Sequence, residues 1–148
     1  PELVTGYRGA VLTPNAMEYR LLAKATMGDE SADIRLVCDA LNGAIVIQKG
    51  AVDQIFCTGE EGVYQPLRVQ EEGSPRRPGG IGDLLAGTLA TMLAWSTQRR
   101  VSHLQACQAA CVLVRRASRA AYAKHHRAMV APDIIAELGP AMQELCPS

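Results

Sequence analysis

Residues 10–24 read Ala10-Val-Leu-Thr-Pro-Asn-Ala-Met-Glu-Tyr-Arg-Leu-Leu-Ala-Lys24. The apolar run Ala10 to Thr13 has the form of a short strand, Pro14-Asn15 turns the chain, and Met17, Leu21 and Leu22 recur at helical spacing through Lys24. The parse is strand, turn, helix. Downstream, Ser31 is placed to cap a second helix through Leu41, with Ile34, Val37, Cys38 and Leu41 on one stripe and Asn42-Gly43 as its stop. Ala44 to Ile47 is then a continuous apolar run of the kind found in strands covered on both faces. Val52 to Cys57 and Val63 to Val69 follow as strands, joined by Gly59-Glu60-Glu61-Gly62 in a hairpin.

Beyond the loop 71–82 the pattern turns wholly helical. Asp83 to Ser96 is apolar nearly all round, which predicts a helix buried on several sides with Trp95 and the methionines in the core. Ser102 to about His126 places Leu104, Cys107, Cys111, Val114, Ser118 and Ala121 on one seam, leaving Arg115, Arg116 and Arg119 off it. Pro132 opens a last helix in its first turn, with Ile134, Ile135, Leu138 and Met142 as the apolar set. Strands alternating with helices predict an α/β sheet covered by helices. Only two or three strands have central character, so half a sheet is expected to lie outside these residues.

The chain has 148 residues, 48% of them hydrophobic, which is ample for one buried core. Fifteen basic residues balance fifteen acidic ones, removing the charge excess that would hold a nucleic-acid backbone. No apolar stretch reaches the roughly 20 residues of a bilayer span. Neither nucleic acid nor membrane is therefore an expected partner. The five cysteines at 38, 57, 107, 111 and 146 spell neither a disulfide framework nor a zinc ribbon and suit a reducing compartment. His103, His125 and His126 lack ligand spacing and are expected on helix surfaces. The chain begins at Pro1 without a leader, so a longer parent is expected.

The chemistry concentrates in Gly73-Ser-Pro-Arg-Arg-Pro-Gly-Gly-Ile-Gly-Asp83, a glycine-rich loop that runs into a helix. Glycines let backbone N–H groups turn toward a ligand and a helix start adds partial positive charge, so Gly79, Gly80 and Gly82 would form an anion site. Arg76 and Arg77 supply fixed charge for phosphate oxygens. Asp83 would accept a proton from a hydroxyl attacking a phosphoryl group, or else simply complement the helix dipole. No Gly-Lys-Ser/Thr follows, so the loop is not of Walker type. Asn15 and Glu18 read equally as Mg²⁺-side oxygen ligands and as a helix-capping pair. Lys49-Gly50 ends the most apolar strand, where open α/β sheets place ligand contacts.

Four motifs in order resemble one family, the eukaryotic ATP-dependent NAD(P)H-hydrate dehydratases of ribokinase-like fold. They are Leu12-Thr-Pro-Asn-Ala-Met-Glu18-Tyr, Val46-Ile-Gln-Lys-Gly50 with Asp53, the Gly73 to Asp83 stretch, and Asp133-Ile-Ile-Ala-Glu-Leu-Gly139. The resemblance implies a layered α/β/α sheet of which residues 1–148 are the carboxyl-terminal part of a single domain, its amino-terminal part missing. It implies that ATP phosphorylates the 6-hydroxyl of the S epimer of hydrated NADH or NADPH, and that phosphate then leaves to restore the cofactor. By position, Asn15, Ala16, Met17, Glu18, Tyr19, Arg20 and Leu21 would line the hydrate site with Asp83, the catalytic base.

Lys49, Gly50, Ala51, Val52 and Asp53 would hold ATP, together with Gly73, Ser74, Pro75, Arg76, Arg77, Pro78, Gly79, Gly80, Ile81 and Gly82. Mg²⁺ would bridge nucleotide oxygens, with Glu18 as its protein ligand. Ile81 departs from the polar residue, Gln or Thr, usual at that position, and Met129 to Pro132 replace a threonine-rich turn.

The expected partners are thus the hydrates NADHX and NADPHX, ATP, and further copies of the chain in a homo-oligomer. The expected location is the cytoplasm, with the mitochondrion as alternative. Two other readings stay open: a small-molecule kinase of the same fold, and a non-catalytic nucleotide-binding module. The 148 residues alone are expected to be inactive and prone to associate.

Overall fold

Strand β1 (Val11–Leu12) lies parallel to β2 (Ile45–Gln48), with Val11 opposite Ile45 and Leu12 opposite Val46. A parallel neighbour requires a crossover, and helices α1 (Ala16–Met27) and α2 (Ile34–Leu41) make it. The computed structural model describes residues 1–58 and 65–147. Strand β3 (Asp53–Phe56) runs antiparallel to β2, and β4 (Leu67–Val69) antiparallel to β3, giving the sheet order β1-β2-β3-β4. The hairpin expected at Gly59-Glu60-Glu61-Gly62 and the start of its second strand lie outside the described residues. The architecture is the mixed α/β type expected of a ribokinase-like fold.

Two compact units divide the chain, Pro1–Gln70 and Glu71–Ser148. In the first, the α2 stripe Ile34, Val37, Cys38 and Leu41 is buried against Val46 and Phe56 of the sheet and against Tyr19 and Ala23 of α1. Ile45, Ile47 and Ile55 point to the opposite face and are buried as well, so the central strands are apolar on both sides. Helix α2 ends with Asn42 at φ 50° and Gly43 at φ 119°, the left-handed stop expected there.

Its start differs from expectation: Asp33, not Ser31, is the cap and accepts from Arg35 N at 2.9 Å. Ser31 is already engaged, donating N–H and hydroxyl to Asp29. On α1 the buried residues are Tyr19 and Ala23, whereas Met17 and Leu21 are exposed.

The second unit is helical throughout: α3 (Ile81–Arg99), α4 (His103–His125), a 3₁₀ turn (His126–Ala128) and α5 (Ala131–Leu145). Its core gathers Leu113, Ala117 and Ala121 of α4 with Met129, Ile134 and Ala141, flanked by Ile81, Leu84 and Met92 of α3. The α4 seam from Leu104 to Ala121 is buried as its spacing predicts, and Pro132 sits in the first turn of α5. Helix α3 is less buried than its composition predicts. Only Leu85, Leu89 and Ser96 are buried along it, and Trp95 is 50% exposed; among the other expected core residues Met17, Met27 and Ile135 are also exposed. The three histidines lie on the surface, and all five cysteines are free thiols, four of them buried. Among the described residues, no helix is long and apolar enough to cross a membrane.

Candidate functional site

Within the first unit, the carboxyl ends of the parallel strands bring two of the expected segments together. Lys49 N donates to the Pro14 carbonyl at 2.9 Å, tying the end of β2 to the turn that opens α1. Ligands of open α/β sheets lie outside such strand ends. The turn after β2 is held by Asp53, a buried residue whose Oδ1 accepts from Gly50 N at 3.0 Å. Gly50 is itself tight: a Cβ there would lie 3.0 Å from the Val52 carbonyl oxygen, so a larger residue would displace the turn. Lys49 is half-buried and Ala51 exposed at the same turn.

Asn15 and Glu18 form a reciprocal capping box. The Asn15 side chain accepts from Met17 N at 2.9 Å and Glu18 N at 3.0 Å, and Glu18 Oε2 accepts from Asn15 N at 2.7 Å. The capping geometry is therefore present, with Glu18 Oε2 engaged in it. Among the described residues, no group of three or more His, Cys, Asp or Glu is arranged to hold a metal ion. The segment 15–21 splits by helix phase. Met17, Arg20 and Leu21 are exposed with Asn15, Ala16 and Glu18, whereas Tyr19 is turned into the core and its hydroxyl donates to the Ala32 carbonyl at 2.8 Å. Burial pushes the Tyr19 phenol up to about 12, so it stays neutral. The side chain of Tyr19 thus points away from any ligand on the exposed face.

In the second unit the glycine-rich loop meets α3 as its composition requires. Gly80 is the cap residue at φ 89°, a conformation that side chains rarely adopt, and a Cβ there would approach Ala131 Cβ to 3.2 Å. At Gly79 and Gly82 an added Cβ would meet no protein atom within 4 Å, so the space beside them is open. The first intrahelical bond is Leu84 N to Gly80 O at 3.0 Å. The N–H groups of Ile81, Gly82 and Asp83 precede it and have no place in the helix ladder. Ile81 turns its side chain toward the core of the unit, which accounts for an apolar residue in a glycine motif.

Asp83 is exposed in the first turn of α3, and Arg76 and Arg77 are exposed on the loop, with Pro78 buried between them and the glycines. Open glycines, first-turn N–H groups outside the helix ladder and two exposed guanidinium groups are features suited to an anionic ligand.

Glu71 escaped the sequence reading. Its carboxylate meets Arg116 Nε and Arg119 of α4, each at 3.2 Å, while its backbone carbonyl accepts from Arg115 at 3.0 Å. The sole local signal was three arginines on one helix, with the acid 44 residues away from Arg115.

A family model described as NAD(P)H-hydrate dehydratase matches residues 6–140. The chain belongs to that family. Curated relatives named ATP-dependent (S)-NAD(P)H-hydrate dehydratase include those of Bos taurus, 37% identical over 98% of this chain and 46% of the relative, and Homo sapiens, 37% identical over 98% and 44%. The Drosophila pseudoobscura dehydratase is 40% identical over 93% of this chain and 44% of its own length. The chain therefore spans about half the length of the curated dehydratases it matches. In fold it is similar to a hypothetical protein of Streptococcus mutans, with a TM-score of 0.67 and 23% identity over 91% of this chain and 46% of that one.

Proposed function

We propose that this dehydratase family member serves the ATP-dependent repair of hydrated NADH and NADPH, acting on the S epimer. The observation that carries the proposal is the start of α3: Gly79 and Gly82 flanked by open space, first-turn N–H groups ahead of the helix ladder, Arg76 and Arg77 upstream, and Asp83 in the first turn. Residues 73–82 and 49–53 are assigned to ATP, and the exposed residues of 15–21 to the hydrate.

In this mechanism Asp83 takes the proton of the substrate 6-hydroxyl as its oxygen attacks the γ-phosphorus, and ADP leaves. The loop N–H groups and arginines stabilise the charge gathering on the transferred phosphoryl oxygens. The carbon–oxygen bond to phosphate then breaks, a proton leaves the neighbouring ring carbon, and the dihydronicotinamide double bond is restored. Mg²⁺ would be held by phosphate oxygens and the Glu18 carboxylate and would supply neutralisation of nucleotide charge. Free thiols suit a reducing location, cytoplasmic or mitochondrial.

The test is absorbance of restored NADH on adding ATP and Mg²⁺ to NADHX, using the protein expressed from its full reading frame. Restored NADH with one ADP released per turnover is expected. ADP release with a stably phosphorylated product would make it a kinase of the same fold, and nucleotide binding without turnover would make it a binding module.

A further inference from the structure

The loop that carries Arg76 and Arg77 is fastened to one face of α4 at two points. At the first, Glu71 receives Arg115, Arg116 and Arg119 together, with its side chain only 17% exposed. Arg116 Nε is shielded from solvent and has Glu71 Oε2 as its counter-charge, off the hydrogen-bond axis. Gly73 lies directly against the Arg115 stem, where an added Cβ would come within 3.6 Å of Cγ. At the second point Ser118, 2% exposed within the α4 seam, donates to the Ser74 hydroxyl at 2.8 Å, and Ser74 donates in turn to the Arg76 carbonyl. This chain of bonds runs from the helix core to the backbone of Arg76.

We propose that Ser118 and Glu71 are positioning residues for the phosphate-binding loop, an inference that rests on the assignment of residues 73–82 to ATP. A serine on a buried helix seam gains nothing from burial unless its hydroxyl has a partner, and here the partner is the loop. Two arginines meet the Glu71 carboxylate and a third donates to its backbone carbonyl, so one loop residue is held by both its side chain and its main chain against α4. Prepaid placement of Arg76 reduces the ordering that a bound nucleotide would otherwise impose.

The test measures ATP·Mg²⁺ affinity by calorimetry, steady-state constants for both substrates, and nucleotide-free melting, all in the protein expressed from its full reading frame. Ser118→Ala is expected to weaken ATP binding about three- to tenfold, the value of one hydrogen bond, with KM for the hydrate unmoved. In an Arg76→Ala background the same change is expected to have little further effect, because Ser118 acts through that residue. Glu71→Gln should weaken ATP in the same direction. Unchanged ATP affinity in folded Ser118→Ala and Glu71→Gln, or losses that add to that of Arg76→Ala, would overturn the positioning role while leaving the ATP assignment intact. Unchanged affinity in Arg76→Ala/Arg77→Ala would instead remove the ATP assignment, and the positioning role with it.

Discussion

The Tyr19 hydroxyl donates to the Ala32 carbonyl at 2.8 Å, joining α1 to the segment that leads into α2. Both partners are buried, so the bond is made away from water. Tyr19→Phe keeps the ring and leaves the carbonyl unsatisfied, and a loss of about 1 to 2 kcal/mol in unfolding free energy is expected. Urea denaturation reads the loss. KM for the hydrate should not move, since the hydroxyl faces the core, and a hydrate-specific defect at unchanged stability would place Tyr19 in the site after all.

The capping box at the start of α1 separates two roles for one carboxylate. Glutamine supports a capping box as glutamate does, so Glu18→Gln is expected to leave stability within about 0.5 kcal/mol, while Asn15→Ala costs about 1 kcal/mol. Mg²⁺ titration of turnover distinguishes the roles: a capping residue leaves the half-saturating concentration unchanged in Glu18→Gln, and a shift to higher Mg²⁺ would make Glu18 a ligand.

Much of this was legible. The α2 stripe and the α4 seam follow from spacing alone, because each helix has one apolar face and therefore one phase. Helix α3 has apolar residues all round, so its pattern holds no phase, and Trp95 falls on the exposed side. The α2 cap was displaced because two oxygen-bearing side chains precede Ile34, and Ser31 is consumed locally by Asp29. For the candidate site, the glycines and Asp83 announce themselves as contiguous text. Glu71 and Ser118 do not, because their partners lie 44 or more residues away and no local rule joins an α4 arginine to a loop glutamate.

Alkali should loosen the first unit. Burial first, and the neighbouring Cys57 second, push the Cys38 thiol from 9.0 up to about 12. The folded chain thus keeps a proton that the unfolded chain has released, and the stabilisation present below pH 9 declines as pH rises toward 12. Stability falls with pH over that window, and Tyr19 adds to the fall above pH 10. Chemical denaturation between pH 7 and 10.5 is expected to show the decline, and Cys38→Ala to flatten it. An unchanged slope in that variant would assign the effect elsewhere.

Asp83→Asn is expected to retain ATP binding while turnover falls by about 10² to 10⁴, since the amide keeps the shape and loses the proton acceptor. Calorimetry with ATP and the NADH absorbance assay measure the two effects separately. Near-normal conversion by the variant would sink the assignment of the base.

Trp95 has one more consequence. As the chain's single tryptophan, half exposed on the helix that begins at the glycine loop, it makes intrinsic fluorescence a reporter of residues 71–148 alone. The sheet-bearing unit has no tryptophan, but it holds the buried thiols Cys38 and Cys57, whose reaction with a chromogenic disulfide would time its opening once Cys107, Cys111 and Cys146 of the helical unit are replaced by serine or alanine. Emission and thiol labelling followed in one denaturation series would therefore show whether the two units melt as one cooperative body or in succession.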